Sequence, residues 1–326
     1  MERLYLQDAL PREKIQFIVD WHHRIAAEAP RDTTWAIVDG AILGAQGLED
    51  LRTAYGDPAR AFDNTSLADY EELGLLLWPL SRVIEEDSAE ALRAALSGQP
   101  GLSFVRTDNS LAFLTHTLTW LSGVVTEDGF PLYLRIGDTR VLRSLIRRLP
   151  PEHDAVMQGA VKEWVWFDRA SRVEAVQSDG GPASSVPRED CCIGDAHYAA
   201  LLADAAVDIL HAEVRRASPD SRDPRTSAEL YSWLEKVIER AEALGLMRLP
   251  DQVVFAVLAL DAPDGFETLE ELGQTWRDVR EGATTLGKRI GRWGDIEWDA
   301  IENLQRNVAK RRTDERAARI LKRMGL

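Results

Sequence analysis

Apolar residues at Ile15, Ile18, Val19, Ile25 and Ala26, with His22 on the same stripe, recur every three to four positions before Pro30. That spacing predicts an amphipathic helix with one face against a core. His22 reads as a boundary histidine held by a neighbour, because the adjacent His23 offers no second ligand one helical turn away. From Trp35 the period changes. Short apolar runs over 35–39, 75–78, 102–106, 132–136 and 164–167 read as strands, and the stretches between them at 88–96, 110–122 and 139–149 carry helical spacing. Gly123 stands where the second of these helices should stop. The alternation predicts an N-terminal lobe of α+β or α/β class, with a central sheet and flanking helices.

The run Ser178-Asp179-Gly180-Gly181-Pro182-Ala183-Ser184-Ser185-Val186-Pro187 then breaks the pattern with residues that disfavour regular structure. It sets the expected organisation: a lobe over 1–170, a linker over 171–192 and a second lobe over 193–326. Past the break the spacing is helical. Thr226 with Glu229 forms a capping-box pattern ahead of the stripe Leu230, Trp233, Leu234, Val237, Ile238, Ala241 and Leu244, and Thr268 with Glu271 repeats it before Leu272, Trp276 and Val279. The second lobe is expected to be all-α.

Composition narrows the function classes. Among 326 residues, 45% are hydrophobic and 29% charged, which suits a folded chain rather than a disordered one. The net charge of −15 repels phosphate backbones and anionic membranes. One stretch departs from this: residues 302–326 hold eight Lys/Arg against three Asp/Glu. It reads as a solvated helix face, and nucleic-acid binding through it is the weakest of the functional alternatives. The longest apolar runs, near 73–80 and 253–260, are far shorter than the roughly 20 residues that span a bilayer, so no membrane insertion is expected. Cys191 and Cys192 are adjacent and lack the spacing of a disulfide framework or zinc knuckle, and the first residues lack a secretory pattern. A cytoplasmic location is the expectation.

The search for chemistry finds no glycine-rich dinucleotide or phosphate loop, no nucleophile elbow and no His-Glu-x-x-His pattern. The near pairs Asp195 with His197 and His211 with Glu213 are two residues apart, which puts their members on different helix faces. Glu85-Glu86-Asp87 reads as a solvated helix start favoured by the helix dipole. No catalytic, cofactor-binding or metal-binding residue is assigned, and no cofactor is expected.

The segment from Leu132 to Leu142 carries more. Alternation in a strand would place Leu132, Leu134 and Ile136 on one face and Tyr133 and Arg135 on the other. A buried Arg135 would need a carboxylate, since an unpaired buried charge costs several kcal/mol. Asp39, ending Trp35-Ala36-Ile37-Val38-Asp39, and Asp138 are the two candidates. Asp138 is also placed to cap the helix bearing Val141, Leu142, Leu145, Ile146 and Leu149. Arg140, Arg143, Arg147 and Arg148 give that helix a basic outer side, either solvated or facing an acidic partner.

Two blocks, Trp35-Ala36-Ile37-Val38-Asp39-Gly40-Ala41 and Leu134-Arg135-Ile136-Gly137-Asp138-Thr139-Arg140-Val141-Leu142, resemble the Tap/Tec-type adaptor chaperones of bacterial type VI secretion. In that family an Arg-aromatic-x-Asp-Pro-Arg-x-Leu block leads into a helix, then a Gly before a Trp-rich strand. Here Gly159 precedes Trp164 and Trp166, and Leu77-Trp78-Pro79-Leu80 and Phe104-Val105-Arg106-Thr107-Asp108-Asn109-Ser110-Leu111 follow the same order. The resemblance covers about residues 34–168. Thr139 replaces the usual Pro, and Ile136-Gly137 replaces a more aromatic pair.

The resemblance implies a non-enzymatic cytosolic adaptor that binds a toxic effector and assists its loading onto the VgrG spike, with the helical lobe implicated in cargo binding. Asp39, Arg135, Asp138 and Arg140 would then form a structural lock, and Arg143, Arg147 and Arg148 a possible partner-binding surface. The competing reading is a cytosolic enzyme of unknown reaction, whose pocket in the N-terminal lobe uses Arg135, Asp138 and His153.

Overall fold

The computed structural model describes residues 5–63, 73–84, 88–178, 190–219 and 223–323. Two compact units divide the chain: Met1–Ala205 with Arg225–Ala228, and Ala206–Pro224 with Glu229–Leu326.

In the first unit the described elements run α1 (Arg12–Glu28), β1 (Thr33–Asp39), α2 (Gly40–Tyr55), β2 (Ala59–Arg60), β3 (Leu75–Pro79), α3 (Leu80–Val83), α4 (Ser88–Leu96), β4 (Leu102–Thr107), α5 (Leu111–Ser122), β5 (Gly123–Thr126), β6 (Pro131–Tyr133), α6 (Thr139–Ile146), α7 (Pro151–Ala160), β7 (Glu163–Phe167), β8 (Val173–Gln177) and β9 (Cys191–Ile193). The main sheet has the order β2-β3-β1-β4-β7-β8. Each of its pairings is antiparallel, which makes the unit α+β.

Both faces of this sheet are covered, and that is why its strands read as continuous apolar runs rather than as alternating ones. Ala36, Val38, Leu76, Trp78, Phe104, Val165 and Phe167 enter one core with Ile18, Trp21, Leu51 and Leu92 from the helices on that side. The residues between them, Ile37, Leu77, Val105, Trp164 and Trp166, enter a second core with Leu114, Leu118, Leu142, Leu145 and Met157. Helices α1, α2 and α4 thus supply one layer, and α5, α6 and α7 the other. Two indoles inside these layers find partners: Trp164 Nε1 donates to Ser103 Oγ at 3.0 Å and Trp78 Nε1 to the Gly56 carbonyl at 2.8 Å. His22, on α1, lies 2.6 Å from the Thr34 hydroxyl, so the boundary histidine has its neighbour.

A smaller sheet, β6-β5-β9, stands apart from the main one, with β5 antiparallel to β6 and parallel to β9. This changes one expectation. The strand expected over 132–136 is shorter, ends at Tyr133, and belongs to the small sheet. Arg135 is therefore in a turn, and not in a strand. The physical reason is the tight chain reversal that follows, in which Asp138 N donates to the Arg135 carbonyl at 2.9 Å. Gly123 does terminate α5, yet β5 begins on the same residue, so the helix stop is also a strand start.

Residues 171–178, read from the sequence as the beginning of a linker, carry β8 at the edge of the main sheet, and Cys191–Ile193 forms β9. The remainder of that stretch, 179–189, lies outside the described residues, as do Glu85-Glu86-Asp87.

The next helix, α8 (Asp195–Ala217), contributes its first part to the first unit and its later part to the second. The second unit continues with α9 (Ser227–Ala243), whose first two residues belong to the first unit, then α10 (Leu249–Asp261), α11 (Gly273–Arg280), α12 (Leu286–Ile290) and α13 (Asp295–Arg323). Its described elements are helical, as the spacing predicted. Phe255, Phe266 and Trp276 form its aromatic centre, with ring centroids 5.3–6.4 Å apart. Arg240 lies over both phenylalanines and forks onto Glu267 with two bonds of 2.6 Å. The capping pattern at Thr268 is not realised: Phe266–Thr268 and Glu270–Leu272 are short 3-10 turns, and α11 starts only at Gly273. Burial of Phe266 and Leu272 sets those turns, overriding the local cap signal.

Among the described residues no helix is long and apolar enough to cross a membrane.

Candidate functional site

Two strand-to-helix turns meet side by side in the first unit. At the end of β1, Asp39 caps α2 by accepting from Ile42 N at 3.0 Å. Before α6, Asp138 caps in the same manner, accepting from Arg140 N at 3.0 Å. Both carboxylates are buried, with side chains only 2% and 4% exposed.

Each cap also holds an arginine. Arg135 Nη2 donates to Asp39 Oδ1 at 2.8 Å, bridging a sequence separation of 96 residues. Arg140 grips Asp138 with Nε at 2.9 Å and Nη2 at 2.5 Å, and its guanidinium lies 5.1 Å from the centre of the Tyr5 ring. Of the two carboxylates offered by the sequence, the partner of Arg135 is Asp39, while Asp138 serves Arg140.

Backbone contacts fasten the turns to the sheet. Thr139 N donates to the Pro100 carbonyl at 2.6 Å, Asp39 N to Gly101 at 3.0 Å and Gly40 N to Gly74 at 2.9 Å. Gly137 is the closest point of approach. A Cβ built there would stand 2.7 Å from Leu75 Cδ2, 2.9 Å from Asp39 Cβ and 3.1 Å from Asp39 Cα, so only glycine lets the two turns touch. This residue was missed from the sequence; a glycine directly before a capping aspartate was the available signal.

Charges in the lock are tuned by burial. Desolvation pushes the Asp39 carboxyl above its ordinary value, and the bond from Arg135 offsets part of that rise. Partial burial and the neighbouring Asp39 charge push the Tyr133 phenol up as well. Tyr133 packs edge-on against Phe62, with centroids 5.5 Å apart.

A family model described as "Domain of unknown function (DUF4123)" aligns with part of this chain. Residues 34–155 match DUF4123. DUF4123 is the domain of the Tap/Tec-type adaptors, so this segment of the chain is similar to theirs. No curated protein and no solved structure matches the chain. Asp39, Arg135, Asp138 and Arg140 all fall inside the DUF4123 segment, as do Arg143, Arg147 and Arg148.

The last three arginines differ in what they touch. Arg143 pairs with Glu174 of β8 at 3.1 Å, and Arg148 with Asp204 of α8 at 2.9 Å. Asp204 also takes the Ser144 hydroxyl, so it joins α8 both to α6 and to the turn that follows α6, within the first unit. Two of the three are thus paired within the unit, and Arg147 is exposed.

His153 is buried on α7 in a different setting from Arg135 and Asp138. Its ring meets Trp120 edge-on at 5.0 Å, and Nδ1 is 3.6 Å from Cys191 Sγ. Burial, with Cys192 beside it, pushes the Cys191 thiol up to about 12, which keeps it a thiol at neutral pH and chemically quiet. A shallow cleft borders Gln7, Asp8, Gln99 and Thr139. Its Asp8 carboxylate is already engaged, accepting from Ser227 N at 2.7 Å. Among the described residues no group of three or more His, Cys, Asp or Glu is placed to hold a metal ion.

Proposed function

We propose that this protein is a type VI secretion adaptor chaperone, which binds a cognate effector in the cytosol and helps to load it onto the VgrG spike without catalysing a reaction. The observation that carries this reading is the DUF4123 match over residues 34–155. The ordered blocks of the resemblance support it, because they coincide with the two capped turns around Asp39 and Asp138.

In this mechanism the lock is scaffold. It fixes the two turns by caps and ion pairs, so recognition falls to other surfaces, where buried aromatic and apolar anchors supply affinity. The helical unit is the proposed cargo-binding part, and exposed Met247, Ile296 and Trp298 are apolar groups available to it.

The test is a pulldown of the tagged full chain from a cell that expresses its genomic neighbours. An effector and a VgrG protein are expected in the eluate, and recovery of neither would overturn the reading. A variant with Trp298→Ala is expected to lose effector while retaining spike protein.

A further inference from the structure

The main sheet ends in two unequal edges. One is β2, only two residues long, which is a common way to blunt an edge. The other is β8, Val173-Glu174-Ala175-Val176-Gln177, which has neither lysine nor proline. Its one charge, Glu174, is turned to internal use, accepting from Trp166 Nε1 at 3.0 Å and pairing with Arg143.

The hydrogen-bond parity of β8 can be read from its ends. Asp168 N donates to the Arg172 carbonyl at 2.8 Å, and Ser178 N to the Lys162 carbonyl at 2.8 Å. With Trp164 opposite Val176 and Trp166 opposite Glu174, the even-numbered residues face β7. The backbone N–H and C=O groups of Val173, Ala175 and Gln177 therefore point away from the sheet, and among the described residues no strand pairs with that side. Ala175, at the centre of the row, is exposed.

We propose that β8 is a self-association edge that pairs antiparallel with β8 of a second copy about a two-fold axis through Ala175. The outward residues are self-complementary in that register. Ala175 meets Ala175 of the other copy, and Val173 meets Gln177, so the outward groups of one strand bond to those of the other. Glu174 falls opposite Val176 rather than opposite the second Glu174, so no like charges oppose across the junction. Packing is compatible too. Val173 lies on the face of the first core and Val176 on that of the second, so both cores would continue across the joint sheet. A five-residue strand pair is a small interface, and each chain carries −15, so the dimer is weak and strengthens as salt screens the repulsion.

The test is sedimentation of the full chain from about 5 to about 500 μM at low and high salt. The expected result is a reversible shift from the 36.5 kDa monomer toward twice that mass, larger at high salt. Ala175→Lys, which places two cations on the axis, and Ala175→Pro, which removes an outward donor while sparing the bonds to β7, should each raise the dissociation constant at least about tenfold. Ala175→Ser should leave it unchanged, and circular dichroism reports whether each variant is folded. Ala175→Cys on a Cys192→Ser background should form an intermolecular disulfide on mild oxidation. A wild-type chain that stays monomeric throughout, or a dimer unaffected by both Ala175→Lys and Ala175→Pro, overturns the proposal.

Discussion

The two ends of β1 hold two aspartates with little side-chain exposure, and their charges respond in opposite ways. Asp32, just before the strand, is 4% exposed at its side chain and receives Arg106 at 2.7 Å and Lys162 at 3.0 Å. Asp39, at the far end, is 2% exposed and has one cation, Arg135, with the Ile42 amide. Burial works against the charge of both. At Asp32 the hydrogen bonds from Lys162 and Arg106 outweigh burial, and the carboxyl falls below its ordinary value. At Asp39 burial wins and the carboxyl rises, with Asp138 nearby adding to the rise. Asp39 is the more deeply desolvated of the two and has one cation, Asp32 is less desolvated and has two, and both differences push the sign the same way.

The comparison breaks most readily at Asp39. Asp39→Ala removes a cap and leaves Arg135 without its carboxylate, and should cost about 3 kcal/mol in urea unfolding, less than a fully buried pair because Arg135 keeps partial solvent access. Asp32→Asn should cost about 2 kcal/mol at neutral pH.

The pH responses separate the two further. A lowered folded value makes the stability from Asp32 present above the ordinary carboxylate range and lost as pH falls through the folded value. Asp39, raised, contributes in the opposite sense, favouring the fold below the unfolded value and losing that contribution as pH rises through the folded one. Asp32→Asn should therefore flatten the loss of stability in acid, whereas Asp39→Asn should not. Thermal melts from pH 3 to 7, roughly the carboxylate range and above, check this.

Gly137→Ala sharpens the same end of the strand. Its methyl would press on the backbone of Asp39, and a loss of about 1 to 2 kcal/mol is expected in the same unfolding assay. The smallest effect belongs to the half-exposed pair Arg148 with Asp204. Arg148→Ala should change stability by no more than about 1 kcal/mol, and the change should shrink in high salt.

Much of the scaffold was legible from periodicity. The runs 35–39, 75–78, 102–106 and 164–167 became β1, β3, β4 and β7 because both of their faces are buried, which makes the apolar signal continuous. Helices α4 and α5 were legible for a local reason: apolar spacing acts within one or two turns. Strand β8 was not legible. Its pattern of partly buried and exposed positions is set by its place at the edge of the sheet, beside β7, and five residues of mixed polarity carry little signal alone. The same holds for β9, whose three residues are a strand only because β5 lies alongside.

For the candidate site, the sequence determined the residue types and the caps: an aspartate at each turn, a glycine before one of them, and an arginine-rich helix after it. The tertiary structure decided the pairing. Arg135 could have served Asp39 or Asp138, and the choice of Asp39 depends on two turns brought together across 96 residues. The sequence likewise could not tell a solvated arginine from one spent inside the unit, and the structure assigns Arg143 to Glu174 and Arg148 to Asp204 while leaving Arg147 exposed. Local geometry is encoded in a few neighbouring residues. The partner of a buried charge is fixed only when the whole sheet places its strands, because electrostatic pairing acts over a few ångströms in space and is blind to distance along the chain.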